Sequence, residues 1–419
     1  MLGGFFRSGD GKFRGRVHVS NQENTATSLI KVMFVDDDPA LLENLQEAMA
    51  DMAGRWQMSF LSSGREGLAA FAADPADVVV SDLWMPGMNG AEFLREVQVR
   101  HPGSIRFVVS SNSDRALASE LIERAHQFIA KPCDPAYLKA AITRAWNLGH
   151  KVHNEAIKEL VARLGQLPSV PALYLEINAL LDSNRATVDN LGTVIARDPG
   201  MTTMVLKLVN SAFFGLRHPV AAVSDALPYL GVDLLKSLVL AHGLFQSQAS
   251  FDIGGFTLSH LWQHSLQVAF KARRIAEAEQ AEGHVPSECF TAGILHDVGI
   301  LVLASRFPDG YGRVLDMCVL EGCDLESAEY HVFGVSHAEV GGYLLGLWGL
   351  PSSIVQAVAW HNFPRNQEHA GFGPLLAVHA ANAFCASGPV HPIFSRASLD
   401  RACLKSLGLA GRLGSWKDL

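Results

Sequence analysis

Paired cysteines are absent from this chain of 419 residues, although it contains six cysteines. No C-x-x-C motif occurs, and the closest two cysteines, Cys318 and Cys323, have four residues between them. A disulfide-stabilised secreted domain or a zinc knuckle needs paired or regularly spaced cysteines. The spacing therefore favours reduced, buried thiols in a cytoplasmic protein.

Long apolar runs are absent as well. The sequence has no uninterrupted apolar stretch of about 18 residues, whereas a membrane-spanning helix needs roughly 20. The segment Phe5-Phe6-Arg7-Ser8 near its start lacks the apolar core of a signal peptide. We therefore expect neither a membrane span nor a secretion signal.

Positive charge is scarce, because 34 Lys and Arg residues stand against 42 Asp and Glu residues and give a net charge of −8. This balance argues against a general nucleic-acid binder, and no helix flanked by basic residues suits DNA recognition, so DNA binding is not expected. The first 20 residues, rich in glycine, run against this balance and are basic. A basic arm is one interpretation of residues 1–29, and a flexible leader is the one we favour.

The overall composition is that of a folded protein. Hydrophobic residues make up 48% of the chain and charged residues 18%, unlike the composition of disordered proteins. A length of 419 residues suits two or three domains. The chain is therefore expected to divide into regions with different sequence patterns.

Between residues 30 and 148, short apolar runs alternate with amphipathic segments. In the first of these segments, Leu41, Leu45 and Ala48 fall on one face of a helix. Alternating strands and helices predict a parallel sheet with helices on both faces. The predicted strands are Leu29–Val35, Gln57–Leu61, Val78–Ser81, Phe107–Ser110 and Gln127–Ala130.

The chemically active groups of this region fall at predicted strand ends. Asp36 and Asp37 follow the first strand and Asp82 the third, Ser110 ends the fourth, and Lys131 follows the fifth. Parallel sheets bind their ligands beyond the carboxyl ends of the strands. We therefore expect these five side chains to form one site.

These residue types suit the transfer of a phosphoryl group to a carboxylate. A carboxylate is a weak nucleophile, so the phosphoryl oxygens must be held and their charge neutralised before it attacks. Asp36 and Asp37 offer oxygen ligands for Mg²⁺, and Asp82 offers a third ligand and the attacking oxygen. Lys131 would supply a fixed positive charge, and Ser110 would hydrogen-bond the new phosphoryl group.

The order of these motifs resembles that of the bacterial response regulator receiver domain. The resemblance implies a flavodoxin-like α/β domain at residues 30–148, with a parallel five-stranded sheet, Mg²⁺ as cofactor and Asp82 as phosphoacceptor. It also implies a sensor histidine kinase as partner, a switch role for Phe128 and a capacity to form homodimers. The motifs that carry it are Asp36-Asp37, Asp82-Leu83-Trp84-Met85-Pro86-Gly87, Ser110 and Lys131-Pro132.

Helical periods dominate the rest of the chain, and strand patterns are almost absent. Residues 149–166 predict a linker helix. Asp198-Pro199 is a strong helix start, with Asp as the N-cap and Pro at the first helical position, and apolar residues follow at helical spacing from Met201. We expect an all-α domain at residues 167–386 and a C-terminal helix or tail at residues 387–419.

Four motifs in this half resemble the HDOD family, a branch of the HD-domain superfamily. The resemblance implies a helical output domain that acts by binding a downstream signalling protein. The motifs are Leu167-Pro168-Ser169-Val170-Pro171, Asp198-Pro199-Gly200-Met201-Thr202, Leu208-Val209-Asn210-Ser211-Ala212-Phe213-Phe214-Gly215 and Ala226-Leu227-Pro228-Tyr229-Leu230-Gly231.

The catalytic branches of that superfamily bind one or two metal ions, and part of their ligand set is present here. Imidazole and carboxylate ligands suit Fe, Mn or Zn, and a bound ion would activate water for attack on a phosphoester. The alternative function is therefore a receiver-gated, metal-dependent phosphohydrolase or cyclic-nucleotide phosphodiesterase. The ligands that the resemblance implies are His264, His296, Asp297, His337 and His361.

Several residues depart from the catalytic pattern. Asn362 stands where two-metal phosphodiesterases carry a second histidine, and Asn382 stands near the expected position of a final aspartate. Ile300 replaces a common lysine, and the Gly-Tyr-Pro signature of cyclic di-GMP phosphodiesterases is absent. We therefore predict a two-component response regulator that is phosphorylated on Asp82 and signals through a mostly non-catalytic HDOD domain.

Overall fold

The computed structural model describes residues 29–111, 125–151, 171–182, 186–210, 214, 216, 219–247, 250–367, 371–385, 391, 393–394 and 397–419. The predicted leader lies outside the described residues except for Leu29. The predicted linker helix also lies outside them, except for residues 149–151.

The first half of the chain contains a sheet of five parallel strands in the order β2-β1-β3-β4-β5. Every predicted strand is present, and the ends differ from the predicted ones by no more than two residues. The predicted α/β class is therefore confirmed. The strands are β1 (Ile30–Val35), β2 (Trp56–Leu61), β3 (Val78–Asp82), β4 (Ile105–Ser111) and β5 (Gln127–Lys131).

Helices cover both faces of this sheet, and polar side chains fix where two of them begin. The carboxylate of Asp38 accepts the backbone N–H groups of Ala40 and Leu41 and so caps the first helix. Asn89 and Glu92 form a capping box at the start of the third. The helices are α1 (Pro39–Ala48), α2 (Gly64–Ala73), α3 (Gly90–Arg100) and α4 (Pro135–Lys151), with a 3₁₀ turn at Ala50–Met52.

Consecutive residues of β1 point to opposite faces of the sheet, and both faces are buried. Val32 and Phe34 belong to one apolar cluster, and Met33 and Val35 belong to the other. Strands covered by helices on both faces carry continuous apolar runs rather than an alternating pattern. This burial leaves the carboxyl edge of the sheet as the place for polar groups.

The second half is mostly helical. Asp198 accepts the backbone N–H of Met201 at 2.9 Å, which confirms the predicted helix start. The helices are α5 (Ala172–Asp182), α6 (Val188–Ala196), α7 (Pro199–Val209), α8 (Val223–Leu230), α9 (Val232–Ser247), α10 (Leu258–Ala278), α11 (Val285–Leu295), α12 (Val298–Arg306), α13 (Pro308–Asp316), α14 (Leu325–Phe333), α15 (His337–Leu347), α16 (Ser352–Trp360), α17 (Pro374–Cys385), α18 (Arg401–Ser406) and α19 (Leu413–Asp418).

A short hairpin interrupts the helices and departs from the predicted all-α domain. Strands β6 (Asp252–Ile253) and β7 (Phe256–Thr257) pair antiparallel. Gly254 and Gly255 form the turn with φ of +59° and +87°, a left-handed conformation that glycine adopts without steric cost. Thr257 then caps α10 by accepting the backbone N–H of the helix's third residue. The hairpin therefore sets where α10 begins.

The C-terminal residues pack back onto the helical half. The side chain of Trp416 on α19 is fully buried, and its Nε1 donates to Glu279 at 2.8 Å. The backbone N–H of Asp400 donates to Nε2 of His379 on α17, also at 2.8 Å. The segment predicted as a helix or tail is thus part of the packed structure where it is described.

Within the part of the chain that the structure describes, one helical stretch, Val285–Arg306, is long and apolar enough to cross a membrane by length and composition alone. It comprises α11 and α12, and 83% of its apolar window is buried inside the protein. The pair α8 and α9 qualifies only as a single span bent by 112°. A helix buried in the core of a folded domain passes the same test.

The two halves are in contact where α4 packs against α15 and where β5 is hydrogen-bonded to the end of α15. Nε2 of Gln127 on β5 donates to the carbonyl oxygen of Leu347, the last residue of α15, at 2.7 Å. Arg106 on β4 is buried near Tyr343 of α15. Burial lowers the pKa of Arg106 to about 10 and raises the pKa of Tyr343 to about 12. The contact therefore contains polar groups that are shielded from water.

Candidate phosphoacceptor site and histidine cluster

Lys131 joins two aspartates at the carboxyl edge of the sheet. Its Nζ lies 2.7 Å from Asp36 Oδ2 and 2.6 Å from Asp82 Oδ1. Asp36 follows β1, Asp82 ends β3 and Lys131 ends β5, so three strands contribute one side chain each. The structure thus brings together three of the residues that the sequence analysis singled out.

Asp82 is a largely desolvated carboxylate with a fixed counter-charge. It is 7% exposed, and the backbone N–H of Trp84 donates to its Oδ2 at 2.8 Å. Burial raises the pKa of Asp82 although Lys131 donates to it. Burial works to lower the pKa of Lys131, but its hydrogen bonds to Asp36 and Asp82 outweigh that effect and raise it. Lys131 therefore remains a cation that can stabilise charge arriving at Asp82.

Two glycines let the backbone close around Asp82. Gly87, which ends the Met-Pro-Gly run, has φ of +82°, in the left-handed region that favours glycine. A Cβ on Gly90 would lie 2.0 Å from the carbonyl oxygen of Asp82, so no larger residue fits at the start of α3. Gly87 belongs to a motif recognised in the sequence, whereas no sequence signal marked Gly90 as part of the site.

The remaining predicted residues of this site lie on the expected elements. Asp37 follows Asp36 beyond β1, and its side chain is exposed. Ser110 is buried on β4, one residue beyond Val109, which pairs in register with Asp82. The backbone of Phe128 belongs to β5, but its side chain lies outside the described part of the chain, so its switch role stays a prediction.

The five predicted metal ligands of the helical half are buried together, and each is at most 3% exposed. His264 lies within α10, and His296 and Asp297 form the junction between α11 and α12. His337 is the first residue of α15, and His361 directly follows α16. A buried aspartate among histidines needs compensating partners, because burying an unpaired charge is costly.

Hydrogen bonds at the outer nitrogens fix the tautomers of three histidines. Nδ1 of His296 donates to the carbonyl oxygen of Gly293 at 2.7 Å, and Nδ1 of His361 donates to that of Val358 at 2.8 Å. Nδ1 of His337 donates to a carboxylate oxygen at 2.6 Å. A carbonyl or carboxylate oxygen only accepts, so each Nδ1 carries a proton and Nε2 is the ring nitrogen left to bind a metal ion.

These Nε2 atoms converge on Asp297. Oδ2 of Asp297 lies 3.1 Å from His296 Nε2, and Oδ1 lies 3.4 Å from His337 Nε2 and 3.6 Å from His361 Nε2. The Nε2 atoms of His337 and His361 are 3.5 Å apart. Ligand atoms around a tetrahedral ion with bonds of about 2.0–2.1 Å are separated by roughly 3.3 Å. The spacing therefore fits a transition-metal ion.

Electrostatics support the same fit. Nε2 of His296 is buried and makes no hydrogen bond of good geometry, although Oδ2 of Asp297 lies only 3.1 Å away. Burial works to raise the pKa of Asp297, but the attraction of His296 and His337 holds it well below its usual range. A metal cation between these groups would compensate the buried charge of Asp297 and give Nε2 of His296 a partner. The donor set of imidazoles and a carboxylate suits Fe, Mn or Zn.

Glu329 holds His337 in place and was missed by the sequence analysis. One oxygen of this fully buried carboxylate accepts both Nδ1 and the backbone N–H of His337, at 2.6 and 2.8 Å. The hydroxyl of Tyr311 donates to the other oxygen at 3.1 Å. Burial works to lower the pKa of His337, but the charge of Glu329 and the bonds to Asp297 raise it well above its usual range. A histidine that binds metal commonly donates its other nitrogen to such a carboxylate.

A cavity of about 220 Å³ opens beside the histidine cluster. Its lining includes Asp297, His337 and His361 together with Asn362, and two further carboxylates, Asp324 and Glu326. Nδ2 of Asn362 donates to Glu326 at 2.9 Å. Burial raises the pKa of Glu326 to about 7. The asparagine that departs from the two-metal pattern therefore bonds a carboxylate at the mouth of the site.

Glu326→Gln should change how stability depends on pH. A carboxyl group whose pKa is raised in the folded state stabilises the fold most at pH values below its unfolded-state pKa, which is 4.5 for Glu326. That contribution is lost as the pH rises through the folded-state pKa of about 7. Removing the charge should therefore stabilise the protein at pH 8 relative to pH 5, by on the order of 2–3 kcal/mol. Unfolding curves at the two pH values measure this.

The matched control is Glu321→Gln, because Glu321 is an exposed glutamate five residues earlier. It should leave the pH dependence of unfolding unchanged. If Glu326→Gln and the unmodified protein keep parallel stability curves between pH 5 and pH 8, the pKa of Glu326 is not raised by burial as stated.

Comparisons with known proteins agree with this division of the chain. The family model for the response regulator receiver domain matches residues 32–143, and that for the HDOD domain matches residues 167–364. Among curated proteins, the DNA-binding transcriptional regulator NtrC of Salmonella typhimurium is 36% identical over 166 residues, which is 38% of this chain and 34% of the relative. A cyclic di-GMP phosphodiesterase of Thermotoga maritima is 26% identical over 136 residues, which is 32% of this chain and 36% of the relative.

The chain spans less than half of the length of the first curated relatives it matches, between 34% and 42%. Among solved structures, an HDOD domain protein from Geobacter sulfurreducens is 23% identical, with a TM-score of 0.46. That match covers 67% of this chain and 99% of the other. The two family matches coincide with the sheet that carries Asp82 and with the helices that carry the histidine cluster. The chain therefore combines a response regulator receiver domain with an HDOD domain.

Proposed function

We propose that this protein is a two-component response regulator whose receiver is phosphorylated on Asp82 by a sensor histidine kinase. The observation that carries the proposal is Lys131 Nζ between Asp36 and Asp82 at the carboxyl edge of the sheet. Asp36, Asp37 and Asp82 would hold Mg²⁺, which prefers carboxylate oxygens and neutralises phosphoryl charge. Ser110 would bond the phosphoryl group, and Phe128 would respond to it.

The proposed boundaries follow the sequence pattern. We assign residues 1–29 to a leader, 30–148 to the receiver, 149–166 to a linker helix, 167–386 to the HDOD output and 387–419 to a C-terminal segment. The protein would act in the cytoplasm and contact a downstream signalling protein through the HDOD domain. Association of two receivers into a homodimer is a further part of this proposal.

Phosphorylation would reach the output through the contact between β5 and α15. Lys131 at one end of β5 touches Asp82, and Gln127 at the other end bonds the carbonyl of Leu347. Helix α15 begins at His337, in the histidine cluster. A charge change at Asp82 that shifts β5 would therefore change how α15 packs. A local electrostatic event in the receiver would in this way reach the histidine cluster.

Gln127→Ala should weaken this contact. It would leave the buried carbonyl of Leu347 without its donor, at a cost of about 1–3 kcal/mol. We expect faster amide hydrogen exchange in the last turn of α15 and a smaller change there upon phosphorylation. Gln57→Ala, at an exposed position of the edge strand β2, is the control and should behave like the unmodified protein. Unchanged exchange in α15 of Gln127→Ala would contradict this route.

The second candidate function is metal-dependent phosphoester hydrolysis. The buried histidine cluster favours it, and so does the similarity to a protein named cyclic di-GMP phosphodiesterase. The chemistry of the cavity argues for a non-catalytic output instead. Its described lining contains carboxylates but neither lysine nor arginine to receive a phosphate anion, and its volume of about 220 Å³ is below the roughly 300 Å³ at which small-molecule sites begin.

Hydrolysis assays can separate the two functions. The full chain, loaded with Mn²⁺ or Fe²⁺, would be incubated with cyclic di-GMP and with bis(p-nitrophenyl) phosphate, beside the double variant His296→Ala/Asp297→Ala. We expect both proteins to show the same background rate. Turnover that the double variant lacks would establish the phosphohydrolase and reject the non-catalytic output.

A further inference from the structure

Asp297 divides the histidine cluster into two halves. Its Oδ2 faces His264 and His296, at 3.6 and 3.1 Å, and we call this group the closed half. Its Oδ1 faces His337 and His361, at 3.4 and 3.6 Å, and we call this group the open half. Each half, with Asp297, has three ligand atoms close enough to share an ion. The two halves differ in the protonation of the ring nitrogens that face Asp297, in access to the cavity and in the charge of the surrounding residues.

In the closed half, Asn382 removes one ligand. Nε2 of His264 lies 3.1 Å from the amide oxygen of Asn382, and an amide oxygen only accepts, so this nitrogen carries a proton. The same nitrogen faces Asp297, and a protonated ring nitrogen has no lone pair for a metal. The ring also stacks on Phe394, with centroids 3.9 Å apart and an interplanar angle of 11°. His264 is therefore held as a hydrogen-bond donor.

In the open half, both imidazoles present Nε2 to the place of the ion. Nδ1 of His337 donates to Glu329 and Nδ1 of His361 donates to Val358, so Nε2 is the nitrogen of each ring that faces Asp297 and that a metal ion would bind in exchange for any proton it carries. Asp297, His337 and His361 also line the cavity, whereas His264 and His296 are not part of its lining. Water can therefore complete the coordination of an ion in this half.

Charge limits the number of ions. Asp297 is the carboxylate shared by both halves, and Asn382 brings no charge where an aspartate would bring one. Two divalent ions would bury four positive charges, against the buried carboxylates of Asp297, Glu329 and Glu326, since Asp324 in the cavity lining is exposed to solvent. One divalent ion is balanced by Asp297 and Glu329. Uncompensated buried charge is costly, so single occupancy is favoured.

We infer that the cluster binds one divalent transition-metal ion, held by Asp297, His337 and His361 in the open half, while His264 stays bonded to Asn382. Two imidazoles and one carboxylate with open positions suit Fe²⁺, Mn²⁺ or Zn²⁺. This inference rests on the proposed metal-binding ability of the cluster and adds the number and place of the ion. It requires no turnover and is independent of Asp82.

The test counts ions on the full-length protein. The chain and its variants, purified without chelators or a histidine tag, would be loaded anaerobically with Zn²⁺ or Co²⁺, freed of excess ion and analysed for metal content. We expect about one ion per chain in the unmodified protein and in His264→Gln, and about none in His337→Gln and His361→Gln. Asn382→Asp should raise the ratio to about two, because it restores a charged ligand to the closed half.

Visible absorption of the Co²⁺ form gives a second readout, because it reports the ligand set directly. His264→Gln should leave the spectrum unchanged, and His337→Gln should abolish it. His264→Gln and His337→Gln are the same chemical change in the same buried cluster, so each variant serves as a control for the other. The expected gain in Asn382→Asp cannot arise from misfolding either.

Three results would overturn the inference. Two ions in the unmodified protein, or loss of the ion in His264→Gln with retention in His337→Gln, would reject single occupancy of the open half while leaving metal binding intact. Absence of any ion from the unmodified protein and every variant after loading would reject both this inference and the proposed metal binding. Labelling of Asp82 is measured separately and is unaffected by any of these outcomes.

Discussion

Asp82→Asn should abolish phosphorylation of the protein by acetyl phosphate in the presence of Mg²⁺. The amide of asparagine is no nucleophile and brings no charge for Mg²⁺, whereas Asp36 and Lys131 would remain in place. We expect labelling to fall to about 1% or less of that of the unmodified protein. Intact-mass measurement of the phosphoryl adduct, or its separation on a phosphate-binding gel, checks this directly.

The matched control is Asp74→Asn, which removes an exposed receiver carboxylate that pairs with Lys31 at a distance from the phosphoacceptor edge. It should be labelled as the unmodified protein is. Omitting Mg²⁺ should suppress labelling of the unmodified protein as strongly as Asp82→Asn does. Persistent labelling of Asp82→Asn at the normal level would place the phosphoacceptor on another residue.

Gly299→Ala should destabilise the HDOD domain and disrupt the histidine cluster. A Cβ at this position would lie 1.9 Å from the carbonyl oxygen of His337, where no atom can be accommodated without separating α12 from α15. Helix α15 cannot shift freely, because Glu329 holds His337 and a capping box of Ser336 and Glu339 fixes its first turn. Overpacking against backbone of this kind costs about 3 kcal/mol or more.

The variant should unfold at lower temperature or denaturant concentration and lose the ion of the open half. Gly312→Ala is the control, because its nearest contact would be an ordinary one of 3.5 Å to Ile253 and it lies within α13. Alanine in place of a helical glycine should be neutral or stabilise by up to about 1 kcal/mol. Normal stability of Gly299→Ala would show that α12 and α15 do not approach as closely as described.

The sheet of the receiver was predictable because its signals are local. Strands buried on both faces show as apolar runs, and the carboxyl end of each run is followed by the residue that carries chemistry. Asp36, Asp82 and Lys131 could therefore be assigned to one edge without knowing any distance. The observed strands begin and end within two residues of the predicted ones. The hairpin at β6 and β7 was not predicted, since two-residue strands show no period.

The histidine cluster was predictable only in part. The resemblance to the HD superfamily named its five members, but the partners that set their tautomers lie on other helices. In the sequence, nothing distinguishes Glu329, eight residues before His337, from any other glutamate in a helix. Gly299 likewise looks like one helical glycine among several. Their roles depend on how α12, α14 and α15 meet, which is a long-range property.

The amino-acid sequence by itself determined the α/β order of the first half, the helical character of the second and the identity of the residues with reactive groups. Periodicity and short motifs encode these features within a few residues of chain. Only the tertiary structure decided that Gln127 of β5 is hydrogen-bonded to the end of α15. It also decided that Asp297 lies between two groups of histidines and that Asn382 accepts a hydrogen bond from His264. Those contacts join residues up to 220 positions apart, so they exist only once the helices have packed.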